Sequence, residues 1–447
     1  MCKAIHLMKH VLTACVGKGV PLTHRPCTGN SKNEDIWDRN VYYSKHEVGL
    51  SRGNAANTCS VAVEAKRSAS MAKLRKKFET LCKEEGILPP VVAFERWISN
   101  CLLVDKTDPI LPSDNNFIEP GLVDDLKAAS ISGDQALRVV RELAQFSSTL
   151  VVTLHSKTNN PTVQVVRHKH TYDVLLTGSK NILKINNMHY KKLVELHGRY
   201  GKADFEDCLF NVLSRYNSLL GHGMHCALSE HVFACMLDHL KVNFECFASP
   251  LNCRYSSYCS MFGDTDSCFG SLGSFFDFYP KRGSFEANPP FIPSIMLAMA
   301  HHILALLDSN EPLSFVVILP GWLELESWKI LLESKYKQSY LVVAASDHGY
   351  CSGAQHQRKD RYIQAGYDSG VFVLQNVPGS IEFCFKEDAF QKDLRHSFAL
   401  SVPTEAMKQR HEKEDRGSVF QKLSKKRKSD GNSKKRMKRG PSYTLKI

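Results

Sequence analysis

The tetrapeptide Asn288-Pro289-Pro290-Phe291 holds the residues of this chain that are best suited to a chemical reaction. It follows residues 283–287, an apolar and polar run that predicts a short strand ending in a tight turn. The Asn288 side-chain oxygen and the Pro289 carbonyl could accept the two hydrogens of an exocyclic amine on a flat ring, and Phe291 could stack on that ring. Proline fixes its φ angle, so the Pro289 carbonyl would point in one direction. The pattern favours methyl transfer to the amine, although it also occurs as an ordinary turn.

Apolar runs on both sides of the tetrapeptide predict the sheet that would position it. Buried strands are predicted at residues 242–252, 313–322, 340–345 and 371–376, with helices at 293–307 and 322–332. The first strand ends in small residues, which let the backbone approach a ligand at the carboxyl edge of a parallel sheet. Asp266 and Asp277 follow, and an acid at a strand end can accept hydrogen bonds from a ribose hydroxyl or an adenine amine. This order within an α/β sheet is typical of S-adenosylmethionine-dependent amino-methyltransferases.

Motifs between roughly residues 90 and 380 resemble those of one enzyme family. They include residues 244–253 (FECFASPLNC), 264–266 (DTD), 269–271 (FGS) and 283–291 (GSFEANPPF), with shorter matches from residues 94–97 (FERW) to 355–356 (QH). The family is that of the phosphorylated-CTD-interacting factors, which are cap-specific adenosine N6-methyltransferases. Its members methylate N6 of the 2′-O-methyladenosine that follows the 7-methylguanosine cap. The resemblance implies the same reaction here, with S-adenosylmethionine as the donor and capped mRNA as the substrate.

The resemblance also implies roles for individual residues. Asn288, Pro289, Pro290 and Phe291 would form the catalytic and adenine-holding set. Donor contacts are expected from Glu245, Ala248, Ser249, Pro250, Leu251, Asn252, Asp266, Phe269, Gly270 and Asp277. Weaker candidates for contacts with RNA or the cap are Arg138, Arg141, His348, Gln355 and His356. For the two arginines, an exposed charged helix face is the simpler interpretation.

The expected architecture is α/β, with a Rossmann-like methyltransferase domain at residues 205–385. A mainly helical domain with a small strand insert is expected at 71–204, and the first insert strands are predicted at 150–154 and 162–167. Residues 1–70 are predicted to be mostly disordered, because they show no sustained periodicity. Residues 386–447 are predicted to be a basic disordered tail.

The net charge of +12 is concentrated near the end of the chain. Residues 421–440 contain ten Lys or Arg and one Asp. Two basic clusters with a short polar spacer resemble a bipartite nuclear-import signal. The residues of these clusters are Lys425, Lys426, Arg427, Lys428, Lys434, Lys435, Arg436, Lys438 and Arg439. They predict a nuclear protein, and a nonspecific polyanion-binding tail is the compatible alternative.

Three features bear on partners and metals. The family carries a WW module for the phosphorylated tail of RNA polymerase II, but the four tryptophans here lie at 37, 97, 322 and 328, so a paired set is missing and tail binding is only a possible partnership. The helical region is also shorter than in the family. No apolar run is long enough to cross a bilayer, which predicts no membrane partner. The histidines and cysteines at residues 222–231 and 348–356 fit no zinc spacing, which predicts no metal.

Two other functions stay open from the residues. The same tetrapeptide serves methyltransferases that act on other planar amines, such as a protein glutamine amide or an internal adenine in RNA or DNA. A catalytically inactive homologue that binds caps or RNA is the second alternative. The intact Asn288 favours an active enzyme, and the basic tail favours nucleic acid as the substrate.

Overall fold

A computed structural model describes residues 59–90, 92–156, 161–219, 225–358, 360–410 and 413 of the 447-residue chain. Its helices are α1 (Val61–Glu84), α2 (Ala93–Val104), α3 (Pro120–Ala128), α4 (Gly133–Leu154), α5 (Asn187–Tyr200), α6 (Phe205–Ser218), α7 (Glu230–Leu240), α8 (Gly263–Asp266), α9 (Pro293–Leu307), α10 (Glu326–Leu332), α11 (Val377–Glu382) and α12 (Glu387–Ala399). Its strands are β1 (Val163–Arg167), β2 (Thr171–Leu176), β3 (Ile182–Asn186), β4 (Glu245–Ala248), β5 (Tyr258–Ser260), β6 (Gly283–Ala287), β7 (Leu313–Pro320), β8 (Lys337–Val343), β9 (Gly349–Cys351), β10 (Tyr362–Gln364) and β11 (Ser369–Gln375).

Helices α1 to α4 pack around one apolar core. The core contains the rings of Phe78, Phe94 and Trp97, whose neighbouring centroids are 5.8 and 5.9 Å apart. Helix α4 begins with a capping box: the Ser132 hydroxyl accepts a hydrogen bond from the Gln135 amide, and the Gln135 side chain accepts one from the Ser132 amide. This start fixes where the long helix begins and therefore which side chains face the core.

A small antiparallel sheet of strands β1, β2 and β3 follows these helices. Its inner face contributes the buried side chains of Val163, Val174 and Ile185 to a core shared with α5 and α6. The sheet therefore connects the helical half of the chain to the second half.

The second half is built on a six-stranded sheet with the order β5-β4-β6-β7-β11-β8. Strands β5, β4, β6 and β7 are mutually parallel, whereas β11 runs antiparallel to both β7 and β8. The chain leaves β4 toward β5 and then returns past β4 to form β6 and β7. The connection from β4 to β5 therefore leads toward one edge of the sheet, and the connection from β6 to β7 leads toward the other. The connections diverge at the β4–β6 pair.

Helices cover both faces of this sheet. Phe285 and Phe315 lie on one face, in a core that includes Met296 and Met299 of α9. Val316 lies on the other face, in a core that includes residues of α7 and α12. Because side chains alternate along a strand, β7 is buried on both sides and consists of eight fully buried residues. The α/β class predicted from the sequence is confirmed, with a mixed central sheet.

The structure corrects one predicted strand. Residues 150–154, predicted to begin the insert, form the end of α4 instead. Val139, Leu143, Leu150 and Leu154 are buried along one side of this helix, so tertiary packing outweighs the β preference of the Val-Val-Thr run. The other predicted strand, at 162–167, lies at β1.

The predicted limits of the two terminal regions are also corrected. Residues 61–70 belong to α1, where Glu64 and Arg67 are buried. Residues 387–399 form α12 instead of a tail, because Phe390, Leu394 and Phe398 recur every four residues and are buried. Of the two predicted tails, residues 1–58, 411–412 and 414–447, which include the basic clusters, lie outside the described residues. None of the helices within the described ranges has the length and apolar character needed to cross a bilayer.

Candidate active site

The predicted tetrapeptide and the predicted donor-binding turn lie at the same edge of the central sheet. Strands β4 and β6 are parallel neighbours, and Glu245 pairs with Glu286. Strand β4 ends at Ala248 and leads into the turn at residues 249–252, whereas β6 ends at Ala287 and leads into Asn288. Since the connections diverge at this pair of strands, it is the position where ligands bind in open α/β sheets.

The Asn288 side chain is fixed at one end and unpaired at the other. Its nitrogen donates a hydrogen bond to the backbone carbonyl of Cys226 at 3.2 Å. A carbonyl only accepts, so the amide nitrogen must face Cys226 and the side-chain oxygen must face away. That oxygen is buried and has no hydrogen-bond partner within the described ranges. Asn288 therefore presents a fixed, unused acceptor at the end of β6.

Asn252 is held by the same backbone segment but has no unused oxygen. Its nitrogen donates to the carbonyl of His225 at 3.2 Å. Its oxygen accepts from both the backbone amide and the hydroxyl of Ser249, at 2.7 and 2.8 Å. Asn252 thus closes the turn after β4 and ties it to the segment that also orients Asn288.

An aromatic row leads from the tetrapeptide to the surface. The centroid of the half-buried Phe291 ring lies 6.2 Å from that of the buried Tyr350 ring and 6.4 Å from that of Trp322. Both pairs of rings are arranged nearly edge-to-face. Trp322 in turn lies 5.1 Å from Tyr367, which is 55% exposed. The backbone carbonyl of Pro290 is used by Ile292, which donates to it at 2.7 Å. The row gives a flat ligand an aromatic wall beside Asn288.

Two buried carboxyls lie below this edge on the paired strands. The Glu245 carboxylate accepts hydrogen bonds from the amides of Arg254 and Tyr255 at 2.7 and 2.9 Å, and burial raises its pKa to about 7. Burial and the neighbouring Glu245 also raise the pKa of Glu286 well above its ordinary value. Glu245, a predicted donor contact, therefore supports the returning chain after β4. No sequence motif assigned a role to Glu286, which stands two residues before Asn288.

Three other predicted donor contacts are packed inside the protein. Asp266 is fully buried and accepts hydrogen bonds from the Tyr216 hydroxyl at 2.6 Å and the Thr265 hydroxyl at 2.9 Å. Phe269 is fully buried as well. Gly270 has a φ of +101°, and a Cβ there would come within 2.1 Å of the Ser256 carbonyl. These contacts give all three a structural role, and their contact with the donor stays a prediction.

Asp277 lies at the surface beside the end of β4. It closes a short 3₁₀ helix whose Phe275 ring is 5.1 Å from Phe247 of β4. Its carboxylate accepts from the Lys106 ammonium at 3.2 Å, and both side chains are largely exposed. A ligand at the end of β4 could therefore reach Asp277 without disturbing the core.

Among the predicted RNA contacts, the two arginines lie at the surface, whereas His348 lies inside the protein. Arg138 and Arg141 are exposed on α4, and Arg138 pairs with Glu85. His348 is buried, and its two ring nitrogens bond to the Ala344 carbonyl at 2.7 Å and the Ser369 hydroxyl at 2.8 Å. Because both nitrogens are used inside the protein, the position of His348 argues against an RNA contact.

Gln355 and His356 present polar atoms that the described residues leave unpaired. Gln355 is 2% exposed, and neither its side-chain oxygen nor its nitrogen has a partner within the described ranges. The same holds for Nδ1 of the buried His356. Asn186 fixes this loop, since its backbone and side-chain amides donate to the carbonyls of His356 and Gln355. A buried, unpaired carboxamide is costly unless a ligand completes its hydrogen bonds.

A buried ionic network links the first helix to the site. The Arg215 guanidinium of α6 is fully buried and bonds to both Glu64 oxygens of α1 at 2.8 and 2.7 Å, and to Asp264 at 3.0 and 2.8 Å. The next residue, Tyr216, bonds to Asp266. Glu64 lies in the segment that was predicted to be disordered, so local patterns did not indicate this network.

Comparison with known proteins identifies a related family. Residues 188–353 match the family model described as "Phosphorylated CTD interacting factor 1 WW domain". In this structure the matched residues form helices α5 to α10 and strands β4 to β9, which include both sides of the β4–β6 edge.

Two relatives share 39% identity with this chain over 236 residues. They come from Mus musculus and Homo sapiens, and each is named "mRNA (2'-O-methyladenosine-N(6)-)-methyltransferase". Each match covers 49% of this chain, and the chain spans about a third of the length of these relatives, 33% in each case. The chain is therefore related to the phosphorylated-CTD-interacting factor family, as its motifs predicted.

Proposed function

We propose that this protein transfers a methyl group from S-adenosylmethionine to N6 of the adenosine next to the 7-methylguanosine cap of mRNA. The observation that carries the proposal is the unpaired, buried oxygen of Asn288 at the end of β6. A fixed acceptor at that position suits an amine hydrogen. The relatives named "mRNA (2'-O-methyladenosine-N(6)-)-methyltransferase" support N6 of an mRNA adenosine as the target.

The strand order supports a Rossmann-like arrangement for the central sheet. Four parallel strands in the order β5-β4-β6-β7 reverse their direction of connection at the β4–β6 pair. In such sheets the ligand lies outside the carboxyl ends of the strands at that point. The turn at residues 249–252 and the tetrapeptide border this position, so the donor is expected between them.

The residues present fit such a donor. The turn after β4 consists of Ser249, Pro250, Leu251 and Asn252, and the Asn252 side chain fixes its shape. Small Ala248 leaves the backbone accessible at the strand end, and Asp277 lies beside it at the surface. When bound, S-adenosylmethionine supplies an electrophilic methyl group on a sulfonium centre. The other groups of the reaction come from the tetrapeptide and the RNA.

The tetrapeptide would activate the amine by orienting it. The Asn288 oxygen and the Pro289 carbonyl accept its two hydrogens, which directs the nitrogen lone pair toward the donor and favours a tetrahedral nitrogen. As the nitrogen gains positive charge, hydrogen bonds to these acceptors become stronger. Phe291 stacks on the purine, and the surplus proton leaves to water after transfer. Positioning and electrostatics thus account for the reaction without a dedicated base.

Gln355 is a candidate for recognising the substrate base. A carboxamide offers one acceptor and two donors, which matches the edge of a purine. The Gln355 carboxamide carries no charge, so it suits a base edge more than a phosphate.

The helical half lies close enough to the site to contact the capped end. Burial lowers the pKa of His225, in the segment that holds Asn288, to about 4, and the nearby Glu95 of α2 partly opposes this shift. The Ser294 hydroxyl, three residues past Phe291, bonds to Asn100 of the same helix. We expect the cap to lie along this side. Contacts of Arg138 and Arg141 with cap phosphates remain predictions.

One experiment tests the substrate and the reaction together. Purified protein and labelled donor are incubated with short RNAs that begin with a capped A, C, G or U, and with the uncapped A-initiated RNA. Label should appear only in the capped A-initiated RNA, and Asn288→Ala should abolish most of it. Equal labelling of capped and uncapped RNA would remove the cap from the proposal. Labelling of a glutamine peptide or an internal adenine instead would replace the substrate.

Nuclear localisation and binding to the polymerase tail are separate proposals. The basic clusters at residues 425–428 and 434–439 support import, and the family description supports contact with phosphorylated RNA polymerase II. Deleting residues 421–440 should move a fluorescent fusion to the cytoplasm while leaving donor binding intact. Phosphorylated and unphosphorylated heptad-repeat peptides would test the polymerase tail. Equal or absent binding would exclude a phosphate-dependent contact.

A further inference from the structure

A cavity of about 260 Å³ lies between the start of α1, helix α6 and residues 264–268. Its lining includes Cys59, Cys208, Asn211, Asp264 and Cys268. Its volume exceeds that of several water molecules, so a small polar solute can enter it. The cavity is separate from the Asn288 site and has no role in methyl transfer as proposed.

Two thiols are in contact in the wall of this cavity. Sγ of Cys208, on α6, lies 3.0 Å from Sγ of Cys268, and both cysteines are free. Cys208 is buried, whereas Cys268 is partly exposed. Two sulfurs at this distance can join with a small movement of their side chains.

The two thiols differ in acidity, which sets the direction of any reaction between them. The S–H of Cys208 donates to the Cys268 sulfur, which lowers the pKa of Cys268 and raises that of Cys208. Burial, aided by Glu64, raises the pKa of Cys59 in the same wall to about 12. Cys268 is therefore the thiol of this cavity that is favoured as a nucleophilic thiolate.

We propose that Cys208 and Cys268 form an oxidisable dithiol, which hydrogen peroxide entering this cavity converts to a disulfide. The Cys268 thiolate attacks one peroxide oxygen, the O–O bond breaks and hydroxide leaves, which produces a sulfenic acid. The Cys208 sulfur then attacks the Cys268 sulfur, the S–O bond breaks, and water leaves with the Cys208 proton. In sum, two thiols and one peroxide give one disulfide and two waters.

A second polar group in the wall supports entry of the oxidant. The side-chain nitrogen of Asn211 donates to the Cys59 carbonyl at 2.6 Å, which fixes the amide. Asn211 lines the cavity, and its side-chain oxygen has no partner within the described ranges. Asn211 is one helical turn beyond Cys208 on α6. Its oxygen can accept a hydrogen bond from a peroxide O–H close to the thiol pair.

The disulfide would attach α6 covalently to a segment near the proposed donor site. Helix α6 already holds this segment through Arg215–Asp264 and Tyr216–Asp266. A bond at Cys208–Cys268 adds a third link, immediately before Phe269 and Gly270. We therefore expect oxidation to stiffen this segment and to raise the melting temperature. Only the effect on donor affinity rests on the proposed function.

The test uses full-length protein that is first reduced and then treated with hydrogen peroxide. Intact mass should fall by two hydrogens, peptide mapping should find a Cys208–Cys268 bond, and a reductant should reverse both changes. Cys208→Ser and Cys268→Ser should each prevent the bond. The matched controls Cys384→Ser, at an exposed thiol, and Cys235→Ser, at a buried one, should still form it.

Three outcomes would overturn the proposal. They are a disulfide between other cysteines, overoxidation of Cys268 without a bond, or no mass change at peroxide concentrations that oxidise Cys384. A wild-type disulfide that leaves the melting temperature unchanged would refute the stiffening. Affinity for S-adenosylhomocysteine, measured by calorimetry in both redox states, separates the effects. If neither state binds it, the proposed function fails while the dithiol assignment stands.

Discussion

Asn252 and Asn288 donate their side-chain amides to the carbonyls of two consecutive residues, His225 and Cys226, at the same distance of 3.2 Å. The two asparagines follow neighbouring parallel strands. The Asn252 oxygen is used by Ser249, whereas the Asn288 oxygen has no partner within the described ranges. One backbone segment thus aligns the donor-side turn with the substrate-side tetrapeptide. This relationship separates a structural asparagine from one that is available to a substrate.

Replacing Asn288 with alanine should remove activity without unfolding the protein. The variant loses one acceptor for the amine, and a hydrogen bond to a charged group contributes roughly 1.5–3 kcal/mol. At one decade of rate per 1.36 kcal/mol, the loss should be at least about 10- to 150-fold, since misplacing the amine costs more. Methyl incorporation into capped RNA and a thermal melt measure both quantities. Near-full activity in a normally melting variant would show that Asn288 is not the acceptor.

Asn252→Ala provides the matched control for that variant. It removes the acceptor for the Ser249 amide and hydroxyl, so unfolding should become easier by about 1–3 kcal/mol. Donor affinity should weaken because the turn after β4 loses its support. This division of roles would be wrong if Asn252→Ala lowered the rate with RNA as much as Asn288→Ala does and left the melting temperature and donor binding unchanged.

Phe291→Gly should weaken use of RNA more than binding of the donor. The ring would stack on the target purine, an interaction worth roughly 1–3 kcal/mol per base. The Michaelis constant for capped RNA should therefore rise, while the dissociation constant of S-adenosylhomocysteine should change little. Trp322→Ala tests whether the next ring of the aromatic row also contributes. If Phe291→Gly leaves the RNA constant unchanged, Phe291 is only a packing residue.

Local sequence patterns predicted five of the six strands of the central sheet, but not β5 and not the contacts within the site. Strands β7 and β11 contain uninterrupted apolar runs, at residues 315–319 and 371–374, so burial alone indicates strands there, whereas the five residues of β6 mix apolar and polar side chains. The Val-Val-Thr run at 151–153 also indicated a strand, but it belongs to the helix that begins at the capping box of Ser132 and Gln135. A helix whose cap lies this far away is difficult to recognise from a few neighbouring residues.

The contacts of Asn288 and Arg215 could not be predicted for a different reason. Asn288 bonds to a carbonyl 62 residues away, and Arg215 bonds to Glu64, 151 residues away. Such pairs depend on how elements pack and leave no local pattern. Helix α12 was missed although its apolar residues recur every four positions, because lysines and arginines nearby resemble those of the tail. Charge near a terminus is thus a weak indicator of where the fold ends.

Arg215→Ala should destabilise the whole protein. The guanidinium bonds to Glu64 and Asp264 in a buried network, and its removal leaves Asp264 without its cation, whereas Glu64 keeps its pair with Arg67. Breaking one partner of a buried ion pair costs about 3–5 kcal/mol. Urea denaturation should show this loss as a lower midpoint. Lys127→Ala, which removes an exposed lysine paired with the exposed Asp124, is the control and should leave the midpoint unchanged. Equal midpoints for both variants would show that the network contributes nothing net.

Asp266 should make the folded protein less stable as pH rises from about 4 to 7. Burial raises the pKa of Asp266 to about 7, above its ordinary value of 3.8. Between these values the folded state keeps a proton that the unfolded state has lost. Unfolding then releases a proton, so the free energy of unfolding falls with rising pH, by about 1.4 kcal/mol per pH unit at most. The contribution is fully present below pH 4 and is lost by pH 7.

Asp266→Asn tests this dependence, because asparagine resembles the protonated acid and does not titrate. Urea denaturation at intervals between pH 4 and pH 7.5 gives the free energy of unfolding for the wild type and the variant. Other groups titrate in both proteins, so the quantity to compare is the difference between the two curves. It should shift steadily in favour of the variant as pH rises through this window. Asp277→Asn, at an exposed carboxylate, should leave the wild-type curve unchanged. Parallel curves for the wild type and Asp266→Asn would mean that Asp266 is already ionised in the folded protein at pH 5.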